Sequence, residues 1–212
     1  KFTKSIDYDK KLAEYDLIGS ILHILVLEKS GYLTSHEVAA LRKELVSIQG
    51  SIQNNKFEVD DKCEDIHTNI QNILEERLGD VALKLHMARS RNDQVVFATK
   101  MYCKVTTDEV KNDIATLILS IDELVKKNDI IIPGFTHMQH AQPVYLKDYL
   151  GAYIDMLNRD IHRLEYIAKN MKVTMGAGAL AGTPINSSQY SINVEEILKA
   201  SKVGIDFKQY FN

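Results

Sequence analysis

Proline and glycine are scarce, three and ten in 212 residues, and neither occurs between Asp80 and Ile132. That gap removes turn formers and helix breakers from a stretch long enough for one uninterrupted helix. Cysteine is scarcer. Cys63 and Cys103 stand far apart without a Cys-x-x-Cys pair, and they read as buried or incidental reduced thiols of a cytoplasmic protein, with a disulfide the less favoured reading. No apolar run approaches the roughly 20 residues a membrane helix needs, so no membrane association is expected. Excess charge is absent too: 26 basic against 29 acidic side chains leave a net charge of -3. That balance argues against nucleic acid or another polyanion as a partner of the whole chain, although a few cations in one pocket suffice for a small dianion. Lys1 is preceded by no methionine and by no charged-then-apolar leader, and Phe211-Asn212 has no capping or turn character. The expectation is a fragment without a secretory signal.

What is present is an ordinary globular balance, 45% hydrophobic and 26% charged, in a chain long enough to bury a core. Val110, Ile114, Leu117, Ile118, Ile121, Leu124 and Val125 recur at helical spacing and predict one helix from about Asn92 to Lys127. At 1.5 Å per residue it would run roughly 50 Å. Few domains house such a helix alone, so it implies a long bundle whose seam is completed by partner subunits. A second helix is expected from Leu146 to about Met171, with a loop from Pro133 to Pro143 between the two. Upstream, an amphipathic helix is expected from about Ser5 to Lys29, closed by Gly31. Thr34 and Glu37 form a capping-box pattern for the next helix, Asn54-Asn55 marks a turn, and Asp60-Asp61 to Gly79 reads as another capped helix. Strand-like alternation is absent. The expected fold is all-α: a small N-terminal helical domain, residues 1–88, then the first long helices of a central helical bundle, residues 89–212, left incomplete.

Three segments concentrate polar chemistry. In Arg89-Ser90-Arg91-Asn92-Asp93, two guanidiniums flank the start of the long helix, where backbone donors and the positive end of the dipole favour an anion. Arginine grips carboxylate with two parallel hydrogen bonds, which suits a dicarboxylic ligand. Residue chemistry alone favours the plainer reading, a capped helix start with the arginines in surface ion pairs. Thr136-His137 places a hydroxyl beside a group that titrates near neutrality and can act as a general acid or base; the plainer reading is a surface-loop histidine. His137 and His140 have the spacing of a metal pair but no carboxylate or cysteine at ligand spacing, so no metal is expected. In Met175 to Gly182 the glycines fall as Gly-x-Gly-x-x-x-Gly and follow a helix rather than a strand, so a dinucleotide site is rejected and no cofactor is expected.

The strings His86-Met-Ala-Arg-Ser-Arg-Asn-Asp-Gln94 and Pro133-Gly-Phe-Thr-His-Met-Gln-His-Ala-Gln-Pro143 resemble the first two signature segments of the argininosuccinate lyases, in the superfamily that includes fumarase, aspartase and adenylosuccinate lyase. Tyr8-Asp9 through Asp16 to Gly19-Ser20 resembles that family's N-terminal helix, and Glu64-Asp65-Ile66-His67 its Glu-Asp-Ile-His segment. The resemblance covers essentially the whole chain in order, and it reverses the plainer readings. Arg-Ser-Arg-Asn-Asp-Gln is the argininosuccinate lyase form of the first segment; the fumarase and adenylosuccinate lyase forms read differently. One departure stands at Ser188-Gln189, where an Asp-Arg pair is common in the family.

The resemblance implies elimination of arginine from argininosuccinate to leave fumarate, in arginine biosynthesis. It implies substrate binding by Ser20, His67, Arg91, Asn92 and Thr136, and His137 as catalytic acid for the leaving nitrogen. It further implies a cytoplasmic homotetramer whose active sites are shared between subunits. The family's third signature, a mobile loop carrying the catalytic serine with a lysine and an asparagine, has no counterpart in these residues. The chain alone is therefore expected to be inactive and to self-associate through uncovered apolar stripes. Rival expectations are an inactive crystallin-like homologue, another fumarate-releasing lyase, and a plain helical interaction module.

Overall fold

Ala13–Lys29 shows how the chain begins to build a core. Apart from Glu14, Asp16, His23, Glu28 and Lys29 its sequence is apolar or small, and 13 of its 17 residues are buried. A helix apolar on all sides belongs inside a protein rather than on its surface. The expected amphipathic helix over Ser5–Lys29 is thus corrected on two counts. It is a buried helix, and it is preceded by a separate short one, α1 (Ile6–Asp9), and a 3-10 turn over Lys10–Leu12. Asp9 explains the break: its carboxylate accepts from Ser5 Oγ at 2.7 Å and from the backbone N–H of Ile66 at 3.1 Å, which ties α1 to a distant segment.

The computed structural model describes residues 2–173, 175 and 182–185. After α2 (Ala13–Lys29) come α3 (Ser35–Gln53), α4 (Ile66–Leu78), α5 (Asp80–Lys84), α6 (Arg91–Lys127), β1 (Ile131–Thr136), β2 (Gln139–Tyr145) and α7 (Leu146–Asn170). Among the described residues the fold is all-α apart from one two-stranded hairpin. The capping box at α3 forms as its sequence predicts, with Thr34 Oγ1 accepting from Glu37 N and Glu37 accepting from Thr34 N. Asn55 makes the turn after α3 in the left-handed region, φ 55°. The helix expected from Asp60 instead begins at Ile66. Asp60 turns the chain locally by accepting from Lys62 N, and Asp65 supplies the cap by accepting from Thr68 N at 2.6 Å.

The chain divides into two compact units, Lys104–Met171 and the remainder. In the larger unit, Leu17, Ile21 and Leu22 of α2, Leu41 and Leu45 of α3, Ile66 and Leu74 of α4, and Phe97 of α6 are almost wholly buried. Gly19 lets α2 meet the start of α6 closely: a Cβ there would lie 2.8 Å from Cδ1 of the Phe97 ring.

In Lys104–Met171, no residue is buried. This unit holds the rest of α6, all of α7 and the antiparallel pair β1–β2. The segment Pro133–Pro143, expected as a loop, is therefore a hairpin. Its prolines stand opposite each other, and the register slips by one residue where Ala141 and Gln142 face Gly134 alone. Gly134 is required there, because a Cβ would come within 2.6 Å of the Gln142 carbonyl oxygen. Two prolines and a glycine within so short a span hid the strands from a reading by alternation.

Candidate active site

Within the apolar surround of α2, Asp16, Ser20 and His23 recur at i, i+4 and i+7 and so share one face. All three are buried, and each finds a partner outside its own helix. Asp16 Oδ1 lies 2.9 Å from His67 Nδ1 on α4 and accepts from Gln94 Nε2 on α6 at 3.1 Å. Ser20 Oγ accepts from Arg89 Nη1 at 3.2 Å. His23 Nε2 lies 2.9 Å from the Met87 carbonyl oxygen, and because a carbonyl only accepts, this nitrogen donates.

The segment Met87–Asp93 is shaped to meet that stripe. Ala88 takes a left-handed conformation, φ 55°, and the chain then carries Arg89 inward, where it is 6% exposed. The start of α6 is closed by two bonds of Ser90: its N donates to Asp93 Oδ2 at 3.0 Å, and its Oγ accepts from Asn92 N at 3.2 Å. The plainer expectation, arginines in surface ion pairs, fails for Arg89. Arg91 is partly exposed and faces α4, with Nε 3.5 Å from Asp65, Nη2 donating to Thr68 Oγ1 at 3.3 Å, and Nη1 donating to Gln94 Oε1 at 3.0 Å.

Burial works against ionisation of the Asp16 carboxyl. The hydrogen bond to His67, the charges of His67 and Arg89, and the Gln94 amide outweigh it and hold the carboxyl below its usual range. Burial pushes His23 down to about 3, with Arg89 adding to the effect, so His23 is neutral. His86 is lowered by partial burial and by the nearby Arg89 and Arg91. The arrangement sets the buried Arg89 and the partly exposed Arg91 near the anionic, hydrogen-bonded Asp16. It can offer guanidinium donors to a carboxylate while keeping their directions fixed.

Of the residues singled out from sequence, Ser20, His67, Arg91 and Asn92 belong to this unit. Ser20 and His67 are buried to 1% exposure, whereas Asn92 is exposed on the first turn of α6. Thr136 and His137 belong to the other unit, at the tip of the β1–β2 hairpin, and both are exposed. His137 and Met138 form the two-residue turn with φ of 49° and 61°. Such turns favour Asn-Gly, because left-handed backbone is strained for other residues. His137 and Met138 make the turn without a glycine or asparagine. Asp16 and Gln94 were not singled out from sequence. The signal that could have found Asp16 is a polar i, i+4, i+7 stripe inside an otherwise apolar helix. The Gly-Ala-rich segment lies largely outside the described residues, as do Ser188 and Gln189. Among the described residues no three His, Cys, Asp or Glu side chains are placed to hold a metal ion.

The sequence model of a lyase family matches residues 1–208. The chain is 38% identical over 207 residues to the argininosuccinate lyase of Caldanaerobacter subterraneus, covering 97% of this chain and 45% of that protein. It is 42% identical over 183 residues to the argininosuccinate lyase of Clostridium tetani, covering 86% and 42%. Among solved structures, it resembles a fumarate lyase:delta crystallin from Brucella melitensis with a TM-score of 0.69 at 20% identity, covering 90% of this chain and 46% of that one. An EDDS lyase in complex with formate superposes with a TM-score of 0.66 at 23% identity, covering 89% and 39%. The chain thus spans less than half the length of the proteins it matches.

Proposed function

Because the chain belongs to the lyase family, we propose that it forms the N-terminal portion of an argininosuccinate lyase, which eliminates arginine from argininosuccinate to leave fumarate in arginine biosynthesis. The observation that carries this reading is the likeness to argininosuccinate lyases at 38% identity across 97% of the chain, with both polar strings inside the match. The carbon acid beside a carboxylate is weak, and loss of its proton builds a doubly charged aci-carboxylate that needs preorganised donors. In this proposal Arg91, Asn92 and Thr136 supply those donors, and Ser20 and His67 complete the substrate contacts. His137 protonates the leaving guanidinium nitrogen as the carbon–nitrogen bond breaks. The base that removes the carbon-bound proton comes from a segment outside these 212 residues, a mobile serine loop by resemblance.

The assembly proposed is a cytoplasmic homotetramer with active sites shared between subunits. Its support is the unburied face of residues 104–171: Leu117, Ile121, Tyr149, Leu150 and Tyr153 line an apolar cavity of about 510 Å³ open to solvent. A division at residues 88 and 89, between a small helical domain and a central bundle, is part of the same proposal.

The test is a chimera. Residues 1–208 of this chain replace the matching portion of the Caldanaerobacter argininosuccinate lyase, and fumarate release is followed by its ultraviolet absorbance. Release from argininosuccinate is expected, with loss of at least tenfold in rate on His137→Gln. The isolated 212-residue chain should release none. A folded chimera inert toward argininosuccinate would leave the crystallin-like reading standing, and preference for adenylosuccinate would reassign the substrate.

A further inference from the structure

Asp16 does more in this arrangement than balance a nearby charge. Its Oδ1 is approached by two groups on two other helices, His67 Nδ1 of α4 at 2.9 Å and Gln94 Nε2 of α6 at 3.1 Å. The Gln94 amide continues the chain, because its Oε1 accepts from Arg91 Nη1 at 3.0 Å. We propose that Asp16 is the positioning residue of the site, orienting His67 directly and Arg91 through the Gln94 amide. The inference rests on the reading that His67 and Arg91 face the substrate.

Donors and acceptors decide the orientation of each group. An ionised carboxylate only accepts and a guanidinium only donates. An amide between them has one satisfactory orientation, with its nitrogen toward Asp16 and its oxygen toward Arg91. The opposite orientation would set oxygen against oxygen and N–H against N–H inside a buried seam, losing two hydrogen bonds at once. Gln94 is 5% exposed, so water is not at hand to repair that loss. The same reasoning fixes the imidazole. With an acceptor-only oxygen 2.9 Å away, His67 Nδ1 is the nitrogen to which we assign the proton. Neither ring nitrogen of His67 makes a well-aligned hydrogen bond among the described residues, and the 2.9 Å approach of Asp16 Oδ1 to Nδ1 is the polar contact that faces the ring.

An Asp16 that merely stabilised the fold could be neutralised in a folded chain without changing the states of His67 and Arg91, and that difference gives the test. Histidine side-chain nitrogens are assigned by long-range proton–nitrogen correlation in the 212-residue chain and in Asp16→Asn. In the unchanged chain His67 should show a protonated Nδ1 and a single state. Asp16→Asn should move both His67 nitrogens toward tautomer-averaged positions and let the Arg91 Nη resonances, separate before, average together. His23, bound to the Met87 carbonyl and not to Asp16, should keep its shifts and so report that the fold is intact. A bare Nδ1 in the unchanged chain would overturn the proposal, and this arm stands even where the variant does not fold. Unmoved His67 and Arg91 resonances in a folded variant would overturn it equally. Neither readout involves turnover, so an inert chimera would count against the proposed reaction and leave this inference untouched.

Discussion

Leu22 and Leu117 are the same residue type on two of the longer helices, yet Leu22 is fully buried and Leu117 is 49% exposed. The difference extends to the units that hold them. α2, α3, α4 and the first turns of α6 close over one another, and Asp16, Ser20, His23 and Gln94 find polar partners inside. From Lys104 to Met171 no residue is buried, although α7 carries a continuous apolar stripe that includes Leu150, Leu157, Ile161 and Leu164. One region satisfies its hydrophobic pattern within the chain, and the other leaves its apolar stripe uncovered among the described residues. The site residues are divided along the same line, with Arg91 and Asn92 in the first region and Thr136 and His137 in the second.

Truncating the two leucines should separate the two regions most clearly. Leu22→Ala should cost about 2–5 kcal/mol in a denaturant titration of the 212-residue chain, because a filled core position is emptied. Leu117→Ala should stay within about 0.5 kcal/mol, as surface changes do. Equal losses would mean that Lys104–Met171 has a core of its own.

Acid should act on the buried region through its titrating groups. His23 titrates at its ordinary value in the unfolded chain and near 3 in the folded one, so between those values the unfolded state binds the extra proton. Stability should be complete above about pH 7 and fall by up to a few kcal/mol as pH drops from about 6.5 toward 3. Asp16, held below its usual range, adds a loss that begins only as pH falls below about 4. His23→Gln keeps a donor for the Met87 carbonyl and should flatten the upper part of that slope. Melting temperatures measured across the range would check both.

The smallest effect pairs two glycines. Gly19→Ala drives a methyl against the Phe97 ring and should destabilise by about 1–3 kcal/mol. Gly151→Ala, in α7 with nothing within 4 Å of the new methyl, should stabilise by roughly 0.5–1 kcal/mol through helix propensity. Opposite signs for one chemical change would confirm that packing decides in one unit and backbone propensity in the other.

The long helices were legible because their apolar stripes recur without glycine or proline, and the α3 cap because its two residues are local to it. The burial of α2 was less legible: Glu14, Asp16 and His23 gave it the outline of an amphipathic helix, whereas Asp16 and His23 point into the core. The start of α4 depended on which of several aspartates caps it, a choice settled when Asp60 made a turn and Asp65 faced Thr68. The hairpin was hidden by Pro133, Gly134 and Pro143. In the site, Arg91 and Asn92 were visible as a string. The partners that fix Arg91 were not visible, because Asp16 lies 78 positions from Gln94 and only folding brings them together.

The most direct test is residue-resolved hydrogen exchange on the 212-residue chain. Amides of α2, α4 and the first turns of α6 should exchange only through global unfolding, while those of α7 should exchange through local opening at far lower free energy. Protection of α7 equal to that of α2 would contradict the account, because residues 104–171 would then hold themselves together without help.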